Sequence, residues 1–97
     1  MLVGIRYARS AFKHGITAGQ IEYVVAHCGF VFDEEAPANS LIEDVRSLYL
    51  GDDMNGVSIE VAGLELESGE FLAIHAMKLR ARFRAQYEQA IQYRKLL

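Results

Sequence analysis

The alternation of apolar and polar residues in the second half of the chain limits its fold more than any other feature. Val57, Ile59 and Val61 occupy every second position, which is the spacing of side chains on one face of a β-strand. Turn signals that end in Gly56 and Gly69 flank this run. Because such short turns join antiparallel neighbours, the pattern predicts a meander of three or four antiparallel strands from residue 47 onward.

Gly63 interrupts this alternation, and Leu64 and Leu66 continue it on the other parity. Such a change of phase is typical of a β-bulge, in which one strand carries an extra residue. The sequence therefore predicts a bent strand at Gly63.

The N-terminal third of the chain predicts two helices. Ile5, Ala8 and Phe12 have helical spacing, so residues 5 to 14 are predicted as a short first helix. Gly15 follows where a left-handed cap is expected.

The start of the second helix is the stronger prediction. Thr17 and Gln20 have the spacing of a capping box, and Ile16 and Ile21 flank them as a hydrophobic staple. The second helix should therefore begin at Thr17. Cys28 would lie on its apolar stripe as a core residue.

The middle of the chain predicts an edge strand and a loop over residues 30 to 39, where apolar residues give way to acids and the single proline. Asp33, Glu34 and Glu35 are interpreted as a solvated turn, because no returning ligand completes a metal site.

The final segment predicts an amphipathic helix over residues 78 to 97, since Leu79, Phe83 and Tyr87 recur at helical spacing with no breaker. The predicted fold class is thus α+β in one domain over residues 1 to 97. It comprises two N-terminal helices, an antiparallel three- to four-stranded sheet and the C-terminal helix.

Composition favours a cytoplasmic protein. The 97 residues include one cysteine, so no internal disulfide can form. No apolar stretch approaches the roughly 20 residues that a membrane span needs, and the early Arg6 argues against a signal peptide.

Charge is segregated along the chain, whose net charge is -3. Residues 1 to 20 carry three basic groups and no acid, and residues 78 to 97 carry six basic groups and one acid. Residues 21 to 77 hold the other twelve carboxylates. If both ends meet on one face, their positive field would attract a polyanion or an acidic partner; a solvated helix surface is the alternative.

Two short motifs carry the residues that suggest chemistry. Residues 13 to 16 (Lys-His-Gly-Ile) close the first predicted helix, and residues 74 to 77 (Ile-His-Ala-Met) precede the last one, with Tyr87 farther along. In these motifs the chain resembles the BrnT-type toxins of bacterial toxin-antitoxin pairs, small relatives in architecture of the RelE ribonucleases. Met77 and Phe83 stand where that family usually has arginine and glutamate, so this member departs from it by two charges.

The resemblance implies a RelE/BrnT-like fold, cleavage of RNA without metal or other cofactor, and a cognate antitoxin that neutralises the activity. A base must take the ribose 2′-hydroxyl proton, an acid must protonate the leaving oxygen, and cations must stabilise the phosphorane. The candidate catalytic residues are Lys13, His14, His75 and Arg84. The candidate substrate-binding residues are Lys78, Arg80, Arg82 and Tyr87.

Each assignment has a structural alternative. Lys13 and His14 could only complement a helix dipole, His75 could be a hydrogen-bonded structural residue, and Tyr87 could belong to the core. The arginines could form a solvated border or a docking strip for an acidic antitoxin segment. A non-catalytic module that binds an antitoxin or itself is therefore a second hypothesis, and an unrelated small enzyme or ligand-binding domain is a third. Apolar residues left outside the predicted core, namely Tyr49, Leu96 and Leu97, leave a homo-oligomer open.

Overall fold

A mixed β-sheet forms the centre of the fold. The computed structural model describes residues 4–27, 30–34 and 46–96, and its strands in that part of the chain form one five-stranded sheet. The strands are β1 (Ile5–Tyr7), β2 (Phe30–Glu34), β3 (Arg46–Asp52), β4 (Ser58–Glu65) and β5 (Phe71–Lys78). The helical elements are a short 3₁₀ helix (Arg9–Phe12), α1 (Ala18–His27) and α2 (Ala81–Lys95).

The strands lie in the order β1-β5-β4-β3-β2. The antiparallel meander predicted from residue 47 onward is confirmed for β3 to β5, and the predicted edge strand β2 pairs antiparallel with β3 at one edge of the sheet. The opposite edge is β1, which pairs parallel to β5 with Ile5 opposite Phe71. The sheet is therefore mixed, and its five strands exceed the predicted three to four.

The helix predicted over residues 5 to 14 is wrong. That segment forms β1 and then the 3₁₀ helix. The Ala8 N–H donates to the Ala73 carbonyl (2.9 Å), and the Phe71 N–H donates to the Gly4 carbonyl (2.9 Å). Pairing with the distant β5 edge thus satisfies backbone groups that a local helix would otherwise have satisfied.

The predicted turns are confirmed by their backbone geometry. Gly56 and Gly69 have φ of 80° and 89°, a left-handed conformation that glycine adopts without steric cost. Asp53 closes the first turn, because its Oδ1 accepts the N–H groups of Asn55 (2.8 Å) and Val57 (2.9 Å).

A bulge lies where the change of phase predicted it, between Ala62 and Gly63. The extra residue is on the partner strand: Ala73 pairs with Gly63 and His75 pairs with Ala62, so Ile74 has no opposite residue. A side chain at position 63 would overlap the backbone of Leu72, which explains the glycine.

The two faces of the sheet carry two apolar clusters. The first packs beneath α1 and the 3₁₀ helix: Ala11, Ile16, Ile21, Val24, Ile59, Val61, Phe71, Ala73 and Ala76. The second packs beneath α2: Leu48, Leu50, Ala62, Leu79, Phe83 and Tyr87. Tyr49, which the sequence left outside the core, packs against the first cluster with its ring 5.0 Å from that of Phe71.

The capping box that begins α1 is confirmed. The Gln20 N–H donates to the Thr17 Oγ1 (3.1 Å), and the Thr17 N–H donates to the Gln20 Oε1 (2.8 Å). Ile16 and Ile21 are both buried in the α1 cluster, as a hydrophobic staple requires. The predicted position of Cys28 lies outside the described residues.

The last helix is shorter than predicted, because Lys78 is still part of β5 and Arg80 has an extended backbone (φ -79°, ψ 154°). The Leu79 N–H donates to the Ser58 carbonyl (3.0 Å), so strand pairing continues one residue beyond β5. Leu96 is exposed, and Leu97 and the predicted loop over residues 35 to 39 lie outside the described residues. No helix in the described ranges is long and apolar enough to cross a membrane.

Candidate functional site

The structure brings His14 and His75 together. Their ring centroids are 5.6 Å apart, and the ring planes are at 74°. His14 lies in the turn after the 3₁₀ helix, whereas His75 lies in β5. Two of the candidate catalytic residues, one from each of the two sequence motifs, therefore face each other.

The bulge in β5 creates this contact. Ala73 faces the α1 side, and a regular strand would direct His75 to the same side because alternate residues share a face. The extra residue Ile74 reverses the parity, so His75 lies beside Ala62 on the α2 side. The Ile74 carbonyl accepts the Ser10 hydroxyl (2.5 Å), which holds the 3₁₀ helix and its following turn against the bulge.

A buried carboxylate lies behind the histidine pair. Glu60, in the middle of β4, has a side chain that is 0% exposed, and its Oε1 is 3.6 Å from the Nε2 of His75. That distance exceeds the range of a hydrogen bond, so the contact is electrostatic. The Nε2 of His75 and the Oε2 of Glu60 are both buried without a hydrogen-bond partner.

Arg80 supplies the charge that Glu60 needs. Its Nε–H donates to the Oε1 of Glu60, and its guanidinium lies 5.4 Å from the ring centroid of Phe83. A buried carboxylate without a cation would be strongly destabilising, so the fold needs Arg80 beside Glu60. His14, His75, Glu60 and Arg80 thus form one connected group that leads from the surface to the interior.

Glu60 was not predicted as a site residue. It alternates with Ile59 and Val61, so the sequence pattern places it on a solvent-facing side of β4. In the structure α2 and β5 cover that side. The residue whose sequence position comes nearest to predicting this buried carboxylate is Arg80, the cationic N-cap residue of α2.

The remaining candidate cations differ in their contacts. Lys13 and Lys78 are exposed and make no ion pair with any described residue. Arg82 lies over the Phe83 ring at 4.4 Å and donates to the Oε1 of Glu34 (2.7 Å), which links α2 to the edge strand β2.

The acidic run at the end of β2 differs from its prediction as a solvated turn. Glu34 also lies 3.5 Å from the guanidinium of Arg46, and both Asp33 and Glu34 belong to the strand. Glu35 lies outside the described residues.

Arg84 and Tyr87 contact residues other than the histidine pair. Arg84 is 4.0 Å from Glu88, and no hydrogen bond, ion pair or ring contact joins it to His14 within the described chain. No direct contact therefore supports a site that contains both His14 and Arg84. The guanidinium connected to the histidines is that of Arg80, through Glu60.

Tyr87 belongs to the core beneath α2. Its hydroxyl donates to the Oδ1 of Asp52 (2.7 Å). Burial, reinforced by this hydrogen bond to a carboxylate, raises the pKa of Tyr87 far above its ordinary value. The hydroxyl therefore keeps its proton throughout the physiological pH range.

In residues 4–27, 30–34 and 46–96, no group of three or more His, Cys, Asp and Glu side chains is arranged to hold a metal ion. Comparison with known proteins adds no relative: no family model, no curated protein and no solved structure matches this chain.

Proposed function

We propose that this chain is a metal-independent endoribonuclease of the toxin type, with His14 and His75 as its proton-transfer pair. The observation that supports this proposal is the 5.6 Å separation of the two rings, which lets both imidazoles reach one phosphodiester. Imidazole exchanges protons near neutral pH, so no metal-bound water is required for this chemistry.

His75 is the proposed base. The carboxylate of Glu60 favours a proton on Nε2 of His75, which leaves Nδ1 to accept the proton of a ribose 2′-hydroxyl. The same carboxylate stabilises the imidazolium that then forms, and a small approach would turn the 3.6 Å contact into a hydrogen bond.

His14 is the proposed acid. The 2′-oxygen attacks phosphorus, the bond from phosphorus to the 5′-oxygen breaks, and His14 gives its proton to that leaving oxygen. The products are a 2′,3′-cyclic phosphate and a 5′-hydroxyl end, and the two histidines exchange roles if water opens the cyclic phosphate. Lys13, exposed beside His14, is the proposed phosphate-binding cation, whereas Lys78 lies opposite Ile59 on the other face of the sheet from His75.

Arg80 acts through Glu60 and is a positioning residue in this proposal. Met77 is the cross-strand neighbour of Glu60, at the position where the BrnT-type toxins usually carry arginine. Arg80 brings a guanidinium to the same carboxylate from three residues later, which compensates for the missing charge. The RelE/BrnT-like architecture, a cytoplasmic location and neutralisation by a cognate antitoxin complete the proposal.

Induced expression in bacteria tests the function. We expect growth arrest together with RNA fragments that end in a 2′,3′-cyclic phosphate. His14→Ala and His75→Ala should each abolish both effects with an unchanged circular dichroism spectrum, whereas Arg6→Gln removes an exposed charge outside the site and should retain them. Persistent RNA cleavage in both histidine variants would remove the pair from the mechanism.

A non-catalytic binding module is the second candidate. Val31 is 51% exposed on β2, and no strand within the described residues pairs with the outer side of that edge. An antitoxin strand added there would satisfy the open backbone groups of β2. In that case we expect a stable complex with the antitoxin but no RNA cleavage by the isolated chain.

A further inference from the structure

A cleft lies between the C-terminal parts of α1 and α2. It has a volume of about 550 Å³, and its lining includes Tyr23 and His27 from α1 and Ile91, Arg94 and Lys95 from α2. The carboxylate of Asp52, at the end of β3, lies between the two helices in the same lining. The proposed catalytic residues are not part of it.

One wall of this cleft is aromatic. The rings of Tyr23 and His27 are stacked, with centroids 4.3 Å apart and planes at 27°. The Nδ1 of His27 is 3.0 Å from the Tyr23 carbonyl, which can only accept, so Nδ1 carries the proton and Nε2 remains available to a ligand. His27 is exposed, so a planar ligand has access to this stack.

The polar groups of the cleft have two different characters. Oδ1 of Asp52 accepts the hydroxyl groups of Tyr87 (2.7 Å) and Ser58 (2.8 Å), whereas Oδ2 makes no hydrogen bond with the described chain. Arg94 and Lys95 make no ion pair with any described residue. A hydrogen-bond acceptor and two cations without an ion-pair partner among residues 4–27, 30–34 and 46–96 thus adjoin one stacking surface.

We infer that this cleft binds a nucleotide unit. The base extends the Tyr23–His27 stack, an exocyclic amine donates to Asp52, and the phosphate lies against Arg94 and Lys95. This inference deepens the proposed function, on which it rests for its ligand class. Because uracil has no exocyclic amine, the cleft should prefer adenine, cytosine or guanine to uracil.

Titration of the full-length wild-type protein by calorimetry tests the inference. The probes are adenosine 5′-monophosphate, uridine 5′-monophosphate, inorganic phosphate and a short oligodeoxyadenylate, which lacks the attacking 2′-hydroxyl and cannot be cleaved. Adenosine monophosphate should bind more tightly than uridine monophosphate and inorganic phosphate. Tyr23→Leu and Arg94→Gln should each weaken its binding by about tenfold, whereas Arg6→Gln should not.

The oligonucleotide distinguishes the two sources of the ligand. Tighter binding of the oligodeoxyadenylate than of the monophosphate identifies a strand as the ligand, and equal or weaker binding identifies a free nucleotide. Absence of binding by both probes, or binding that neither Tyr23→Leu nor Arg94→Gln weakens, overturns the inference. Arg94 is exposed, so Arg94→Gln remains informative even if Tyr23→Leu disturbs the fold.

The cleavage assay separates this inference from the proposed function. RNA cleavage that depends on His14, combined with no nucleotide binding in the cleft, rejects the cleft and retains the nuclease. Nucleotide binding that depends on Tyr23 and Arg94, combined with no RNA cleavage, retains the cleft and rejects the nuclease.

Discussion

Loss of the Arg80 charge should destabilise the fold far more than loss of the neighbouring Arg82 charge. Arg80→Met and Arg82→Met each remove one guanidinium from the start of α2 and keep an unbranched side chain. Each variant also loses a guanidinium contact with the Phe83 ring. The two variants differ in the carboxylate that is left behind. The Glu60 side chain is 0% exposed, whereas the Glu34 side chain is 20% exposed and also lies near Arg46.

The burial of the carboxylate sets the magnitude. Removal of one partner from a buried ion pair costs about 3 to 5 kcal/mol, because the other charge remains in the interior. The Arg80 side chain is itself 35% exposed, so water can partly replace its charge and the cost should be near the lower limit, about 3 kcal/mol. An exposed pair such as Arg82 with Glu34 contributes at most about 1 kcal/mol.

Urea unfolding followed by circular dichroism measures the difference. With an m-value of about 1 to 3 kcal/mol per molar urea, Arg80→Met should lower the midpoint by about 1 to 3 M. Arg82→Met should lower it by less than about 1 M. The double variant Glu60→Leu/Arg80→Met leaves no charge in the interior and should recover most of the lost stability. Equally small losses in both single variants, or no recovery in the double variant, would refute the role assigned to Glu60.

Three other outcomes are expected. Gly63→Ala should lower the free energy of unfolding by about 3 kcal/mol in thermal melts, because the new methyl group overlaps the Leu72 backbone; Gly19→Ala in α1 meets no close neighbour and should be neutral or stabilising. The hydrogen bond from Gln20, followed by that from the Val57 N–H, lowers the pKa of Asp53 below its ordinary value of 3.8. The ionised Asp53 carboxylate therefore contributes its full stability above pH 3.8, and this stability is lost as the pH falls through the lower folded-state pKa. Asp53→Asn should abolish the part of the acid dependence of the urea midpoint that comes from this carboxylate. Tyr87→Phe should cost about 1 to 2 kcal/mol in the same urea assay, since Asp52 loses a hydrogen bond, and a midpoint equal to that of the wild type would contradict this.

Features that depend on neighbours in the sequence were predicted correctly. Gly56 and Gly69 mark turns, Thr17 and Gln20 form a capping box, and the change of phase at Gly63 marks a bulge. The turns and the capping box follow from backbone sterics or from hydrogen bonds that span a few residues, so the amino-acid order is sufficient to specify them. The glycine marks the bulge, but the extra residue, Ile74, lies on the partner strand.

Features that depend on distant partners were not. Residues 5 to 7 have a pattern compatible with a helix, yet they form a strand because they pair with the open edge of β5. Glu60 has the position of a solvent-facing residue, yet α2 covers it and requires Arg80 beside it. Local periodicity cannot predict either the β1–β5 pairing or the Glu60–Arg80 ion pair, since both form only when the elements assemble.

The candidate site shows the same division. The sequence by itself determined the identities of His14 and His75 and the turn and strand segments that carry them. The tertiary structure decided that they meet, because Ile74 reverses the parity of β5 and its carbonyl holds the Ser10 hydroxyl. The meeting depends on a cross-strand register and a long-range hydrogen bond, which exist only in the folded chain.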